Sequence, residues 1–228
     1  MSNIDSALVA SHKNLNPKIW SKDNNLKPEV QVALLRIAKE FYEFLDFDAP
    51  LADIQVTGSQ ANFNYTILSD LDLHLIVPFE SVTCDQPVES MFDAKRKLWK
   101  ERHDITIHGI PVEVYVEDTA RPVNGSTFSV LKNKWLSKPV YREADWDQEE
   151  ILREVKIWLE RMVTVVSSRD LEKIQDFREQ LSDYRQSGLD ANGEFGTENL
   201  TFKALRNLGA ISQLMQILAS LEDQNLSI

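Results

Sequence analysis

The sequence predicts an α+β fold (α/β in the broad sense), a mixed β-sheet flanked by helices and followed by a C-terminal helical bundle. Three observations carry this expectation. Residues 54–77 hold two short apolar runs of strand length joined by a polar connection. Residues 110–117 alternate strictly, with Val112, Val114 and Val116 on one side and Glu113, Tyr115 and Glu117 on the other. From about residue 147 onward, apolar residues recur three and four apart, the spacing of helices that bury one stripe.

Taken in order, residues 1–27 read as an N-terminal arm rich in Asn, Ser and Lys, pinned by Leu15, Ile19 and Trp20. Lys27, Pro28 and Glu29 fit a helix start, because proline is tolerated in the first turn. Val30, Ala33, Leu34, Ile37, Phe41, Phe44 and Leu45 continue that helix, and residues 46–50 end it. Strand 54–57, the Gly58-Ser59 turn and strand 70–77 follow, the last stopped by Pro78. A loop with Cys84 and Pro87 leads to a basic helix over about 88–101. Ile105 to Ile107, the His108-Gly109 turn and the Glu113 strand read as a hairpin. Residues 119–146 are less regular and complete a core over 28–146. In 147–228, apolar stripes trace three helices: Ile151 to Val166, Leu171 to Tyr184, and Leu200 to Leu221. A loop at 188–196 precedes the last, which carries Gly209 in its interior at some cost.

Composition narrows the functional classes. With 228 residues and 43% hydrophobic content the chain can bury a sizeable core. No apolar run reaches the roughly 18 residues that span a bilayer. The start at Met1 lacks the pattern of a signal peptide, and Cys84 is the single cysteine. A reducing cytoplasm without membrane association is the expected home. The net charge of −11 argues against a processive grip on long nucleic acid, since phosphate neutralisation drives such affinity. It leaves room for a locally basic site. Lys95, Arg96, Lys100 and Arg102 form one basic strip, read either as a solvated helix face or as a phosphate contact.

The pattern with the most chemistry is Gly58-Ser59, ten residues, then Asp70-Leu71-Asp72-Leu73. On a strand, Asp70 and Asp72 share a face with Cα atoms about 6.6 Å apart. Two such carboxylates repel unless a cation lies between them, and hard oxygens suit Mg²⁺. An Asp-X-Asp alone is more often an exposed polar face; the Gly-Ser turn, the spacing and the later acidic strand weigh against that here. This constellation resembles the nucleotidyltransferase superfamily typified by DNA polymerase β, with Thr57 where the pattern has a hydrophobic residue. The arm and first helix, with Asn16, Pro17, Lys18, Trp20, Lys27 and Pro28, resemble a group of small phage-encoded nucleotidyltransferases.

The resemblance implies a nucleotidyltransferase core with Asp70, Asp72 and Glu113 as catalytic acids and ligands of two Mg²⁺ (or Mn²⁺) ions, with Glu117 in reserve. It implies an NTP such as ATP as substrate, its phosphates held by Gly58, Ser59 and a lysine from outside the core, Lys134 or Lys132. Those lysines read equally as surface residues beside Trp135. Gln60 departs from the basic residue frequent at its position. His74 either serves the site or completes the sheet face. The expected reaction moves NMP to an acceptor hydroxyl on an RNA end, a protein or a small molecule, with release of pyrophosphate. The helical domain either shapes the acceptor cleft or forms a homodimer surface. The alternative function is a non-catalytic nucleotide-binding or interaction module of the same fold.

Overall fold

The computed structural model describes residues 12–82, 87–122, 125–141, 143 and 146–227. Cys84 and the first eleven residues of the arm lie outside them. Two compact units divide the chain, one spanning Ala10–Glu143 and one drawn from Ala144–Ile228. Among the described residues there are six α-helices and six strands, and no helix is long and apolar enough to cross a membrane.

In the first unit the arm is tied down by its apolar residues: Leu15, Ile19, Trp20 and Leu26 are buried, and Trp20 bridges to Leu26. Helix α1 (Pro28–Leu45) follows, with Val30, Leu34, Ala38, Phe41 and Leu45 buried along one stripe. Asp46, at φ 51°, turns the chain out of the helix. Strands β1 (Asp53–Thr57) and β2 (Leu71–Val77) come next, then helix α2 (Val88–Arg102), β3 (Thr106–Ile107) and β4 (Ile110–Asp118). Two further strands, β5 (Thr127–Ser129) and β6 (Lys134–Ser137), lie in the segment the sequence left irregular. Their short lengths hide the period-2 signal, yet Phe128 is fully buried and packs edge-on against Trp20 and Trp135.

The sheet runs β3-β4-β2-β1-β5-β6. Among the described residues β2 and β4 pair in parallel and the other neighbours are antiparallel. Leu71, Leu73 and Leu75 of β2 share one core with the buried stripe of α1 and with Phe92 and Trp99 of α2. The opposite face of β2 is left half-open at Asp72, His74 and Ile76.

The described residues of the second unit form helices: α3 (Gln148–Ser167), α4 (Leu171–Asn192), α5 (Thr197–Asn207) and α6 (Ala210–Leu226). Side chains of Asp147 and Asp170 cap α3 and α4 by accepting hydrogen bonds from backbone N–H groups of the first turns. Ile151, Val155, Trp158, Ile174, Phe177, Leu181, Leu200, Leu205 and Leu214 build its core. Two boundaries differ from expectation. Gly209 does not ride inside one long helix. It adopts φ 78° and separates α5 from α6, because the left-handed region costs glycine nothing. The expected loop at 188–196 shrinks to its end: α4 continues through Gly188, where Glu198 of α5 approaches so closely that a Cβ would sit 2.3 Å from it.

Candidate active site

The half-open sheet face is assembled in rows, because register places side chains of like direction beside one another on adjacent strands. Asp72 is the Cα partner of Thr57 on β1 and of Glu113 on β4. The next row sets Gln55 beside His74 and Tyr115, and the following one aligns Ile76 with Glu117. Neighbouring strands are about 4.8 Å apart, so the two acids that the sequence separates by forty positions stand side by side. Asp70 is half-buried one residue before β2, where strand alternation no longer sets its direction.

Gly58 holds the turn after β1 with φ 72°, and its missing Cβ is occupied: a Cβ there would lie 2.0 Å from Asp72 Oδ2. The glycine is needed for two reasons, backbone conformation and room for the Asp72 carboxylate. Ser59 Oγ donates to Ser69 Oγ at 2.9 Å, which closes the ten-residue connection back on the turn. Gln60 is 1% exposed. Its side chain accepts from Asn16 Nδ2 and donates to the Ser69 carbonyl, each at 2.9 Å, while its own carbonyl accepts from the Trp20 indole at 2.6 Å. This explains the departure from a basic residue: the site needs both a donor and an acceptor, and lysine and arginine supply donors alone.

Glu113 is held by two side chains. It pairs with Lys100 of α2 and accepts from Tyr115 Oη at 2.7 Å. Burial opposes its ionisation, but the hydrogen bonds from Lys100 and Tyr115 and the nearby Arg96 charge outweigh it, leaving the carboxyl below its ordinary range. Tyr115 is driven the other way by burial, by its bond to Glu113 and by the Asp72 charge, and stays a protonated donor. The His74 ring stacks on Tyr115 at 4.8 Å, and Arg96 lies 5.0 Å over the other ring system of this row, that of Tyr115. Glu117 is held below its ordinary range by His74, whose Nδ1 lies 3.2 Å away, and by Arg121 at 3.2 Å, against burial.

Among the described residues no three or more His, Cys, Asp or Glu side chains converge as a metal set. The register explains which acids are neighbours, and Lys100 with Tyr115 explains where the Glu113 carboxylate is directed. Asp72 and Glu113 nevertheless fit the taste of Mg²⁺, which takes one or two carboxylates and completes its shell with water and substrate phosphates. A cavity of about 320 Å³ lies over the same face, lined in part by Gln55, Thr57, His74, Glu117 and Thr127.

The lysines take different places. Lys132 pairs with buried Asp53 at 3.3 Å, which also accepts from Ser129 Oγ. Lys134 is exposed on β6, three strands from β2. The basic strip of α2 is spent inside the molecule: Lys95 donates to the Leu45 carbonyl, Arg96 and Lys97 pair with Asp93, and Arg102 covers the Phe44 ring. Lys100 and Tyr115 stand beside Glu113 in the candidate site; the sequence placed Lys100 only in the basic strip and gave Tyr115 no role. Alternation put Tyr115 on the Glu113 face, but nothing local announced the partner of Lys100, thirteen positions away on another element. Comparison of the chain with models of known families, with curated proteins and with solved structures returned no match.

Proposed function

We propose that the first unit is a metal-dependent nucleotidyltransferase that moves NMP from an NTP to an acceptor hydroxyl. The observation that supports this best is the row Thr57–Asp72–Glu113 on three adjacent strands, with Gly58 opened to receive the Asp72 carboxylate. Asp70, Asp72 and Glu113 would hold Mg²⁺, which supplies charge neutralisation on the triphosphate and acidifies the attacking hydroxyl when bound. The chain's own residues set the stage for that chemistry. Glu113 is ionised at neutral pH and oriented by Tyr115. Lys100 and Arg96, paired with Glu113 and Asp93, offset part of the negative charge around a face that must accept a polyanion. The cavity on the same sheet face, lined in part by Gln55, Thr57, His74 and Glu117 and by none of Asp70, Asp72 and Glu113, has the size of a small-ligand pocket. In the reaction the acceptor hydroxyl gives up its proton to Glu113 or to water, its oxygen bonds the α-phosphorus, the α–β phosphoanhydride breaks, and pyrophosphate leaves with the electron pair.

A second reading is favoured by one observation. Lys100 and Tyr115 already satisfy Glu113, as in a module that keeps the fold and binds without turnover. Pyrophosphate release from each NTP with Mg²⁺ or Mn²⁺ decides between them. Turnover in the wild type that disappears in Asp72→Asn, with an unchanged melting temperature, supports the enzyme. Metal-dependent nucleotide binding with no release from any NTP supports the module.

A further inference from the structure

A cavity of about 740 Å³ lies under the N-terminal arm, lined by residues within 12–27 and by Tyr65. Its charge is unlike that of the whole chain. Lys13, Lys22, Lys27 and His12 face it, and no Asp or Glu is among its lining residues, in a protein with 36 acids against 25 lysines and arginines. Lys13 and Lys22 are exposed and Lys27 is half-buried. The contrast with α2 matters: there the cations are consumed by internal partners, whereas here the lining offers positive charge without carboxylate company. The cavity also has an aromatic wall. His12 stacks on Tyr65 with ring centroids 3.9 Å apart, fixed by a hydrogen bond between His12 Nε2 and the Tyr65 carbonyl at 3.0 Å. Both rings line the cavity.

The position links this cavity to the acids. Tyr65 belongs to the connection between Ser59 and Asp70, so at most about 18 Å of chain separates it from Asp70. From the other side, Lys18 Nζ donates to the His108 carbonyl at 3.1 Å, at the turn that opens β4 and the Glu113 strand. Lysines for phosphates and an aromatic platform for a base are the two parts of a single-strand nucleic-acid site. We infer that the arm cavity binds the acceptor as a single-stranded oligonucleotide, its phosphates on Lys13, Lys22 and Lys27 and a base on the His12–Tyr65 pair. Its role as acceptor rests on the nucleotidyl-transfer reading; its binding does not.

The test is fluorescence anisotropy of a labelled eight-nucleotide oligo(U) with the full chain between 50 and 200 mM salt. Wild type and Asp72→Asn are expected to bind alike. K13Q/K22Q is expected to weaken binding at least tenfold and to flatten the salt slope by about 1.4, at about 0.7 per phosphate contact on a single strand. Lys39→Gln, an exposed lysine paired with Glu43 on α1, is the control and should change neither. Oligonucleotide binding that is absent in the wild type, or unaltered in K13Q/K22Q, overturns the proposal. Displacement by tripolyphosphate at equal phosphate concentration also overturns it, in favour of a small polyphosphate site. Binding without pyrophosphate release leaves this cavity standing and removes the transferase reading; release onto another acceptor without oligonucleotide binding does the reverse.

Discussion

Asp72 and Leu73 are consecutive, yet they serve opposite faces of β2. Leu71, Leu73, Leu75 and Val77 are fully buried, each stabilising the fold by about 2 kcal/mol through removal of apolar area from water. Asp72, His74 and Ile76 stay half-open, and the acids among their neighbours oppose folding by mutual repulsion unless a cation or lysine relieves it. Side-chain period 2 lets one strand do both. The difference teaches that stability and activity should separate cleanly at adjacent positions.

Four substitutions sharpen or break that separation. The largest effect is expected at Asp72→Asn, about a thousandfold loss of pyrophosphate release, roughly 4 kcal/mol at the transition state. Its melting temperature should be no lower than wild type; a destabilised variant would show that the open face also holds the fold. Leu73→Ala should do the converse, costing about 3 kcal/mol in urea titrations, while the residual folded fraction keeps its turnover per folded molecule. Gly58→Ala lies on the border between faces. It should cost about 1–3 kcal/mol from the positive φ and the collision with Asp72. Part of that cost should vanish in Asp72→Ala, with a coupling of about 1 kcal/mol in the double-mutant cycle; strict additivity would deny the contact.

The smallest effect concerns acid. Glu113 and Glu117 are both held below the ordinary carboxyl range, Glu117 first by His74 and then by Arg121. A depressed folded pKa gives stability that is fully present above the unfolded value of about 4.3. That stability is lost as pH falls through the folded value. Urea midpoints measured from pH 7 to pH 3 should therefore decline, and Glu117→Gln should make the decline shallower. An identical acid limb in both proteins would place the pH sensitivity elsewhere.

Much of the sheet was legible because its signals are local. The alternation at 110–117 announced which side of β4 carries Glu113, and the apolar stripe from Val30 to Leu45 announced α1. The neighbours of those residues were not legible, since they arise from register. No spacing in the sequence states that Asp72 lies beside Glu113 on a parallel pair, or that Asp72 fills the space above Gly58. Charges misled for the same reason. Lys95, Lys100 and Arg102 of the basic strip are claimed by partners on other elements, and Arg96 by Asp93 on its own helix. Lys13, Lys22 and Lys27 are too scattered to form a run and are gathered only by the arm's path. Phe128 and Trp135 belong to strands of three and four residues, below the length at which alternation can be counted.

The hydrogen bonds of Gln60 to Asn16 and Trp20 span 44 and 40 residues of chain. Contacts of such separation are entropically late, because the intervening loop must close before they reward it. The β1–β2 hairpin can form with its connection closed by Ser59 and Ser69, but the arm has nothing to dock on until that turn exists. The expected order of assembly is hairpin before arm, with the arm the first of the two to detach. In native-state hydrogen exchange the Trp20 indole N–H should open before the amides of β2, and with it the buried carbonyl of Gln60 meets water.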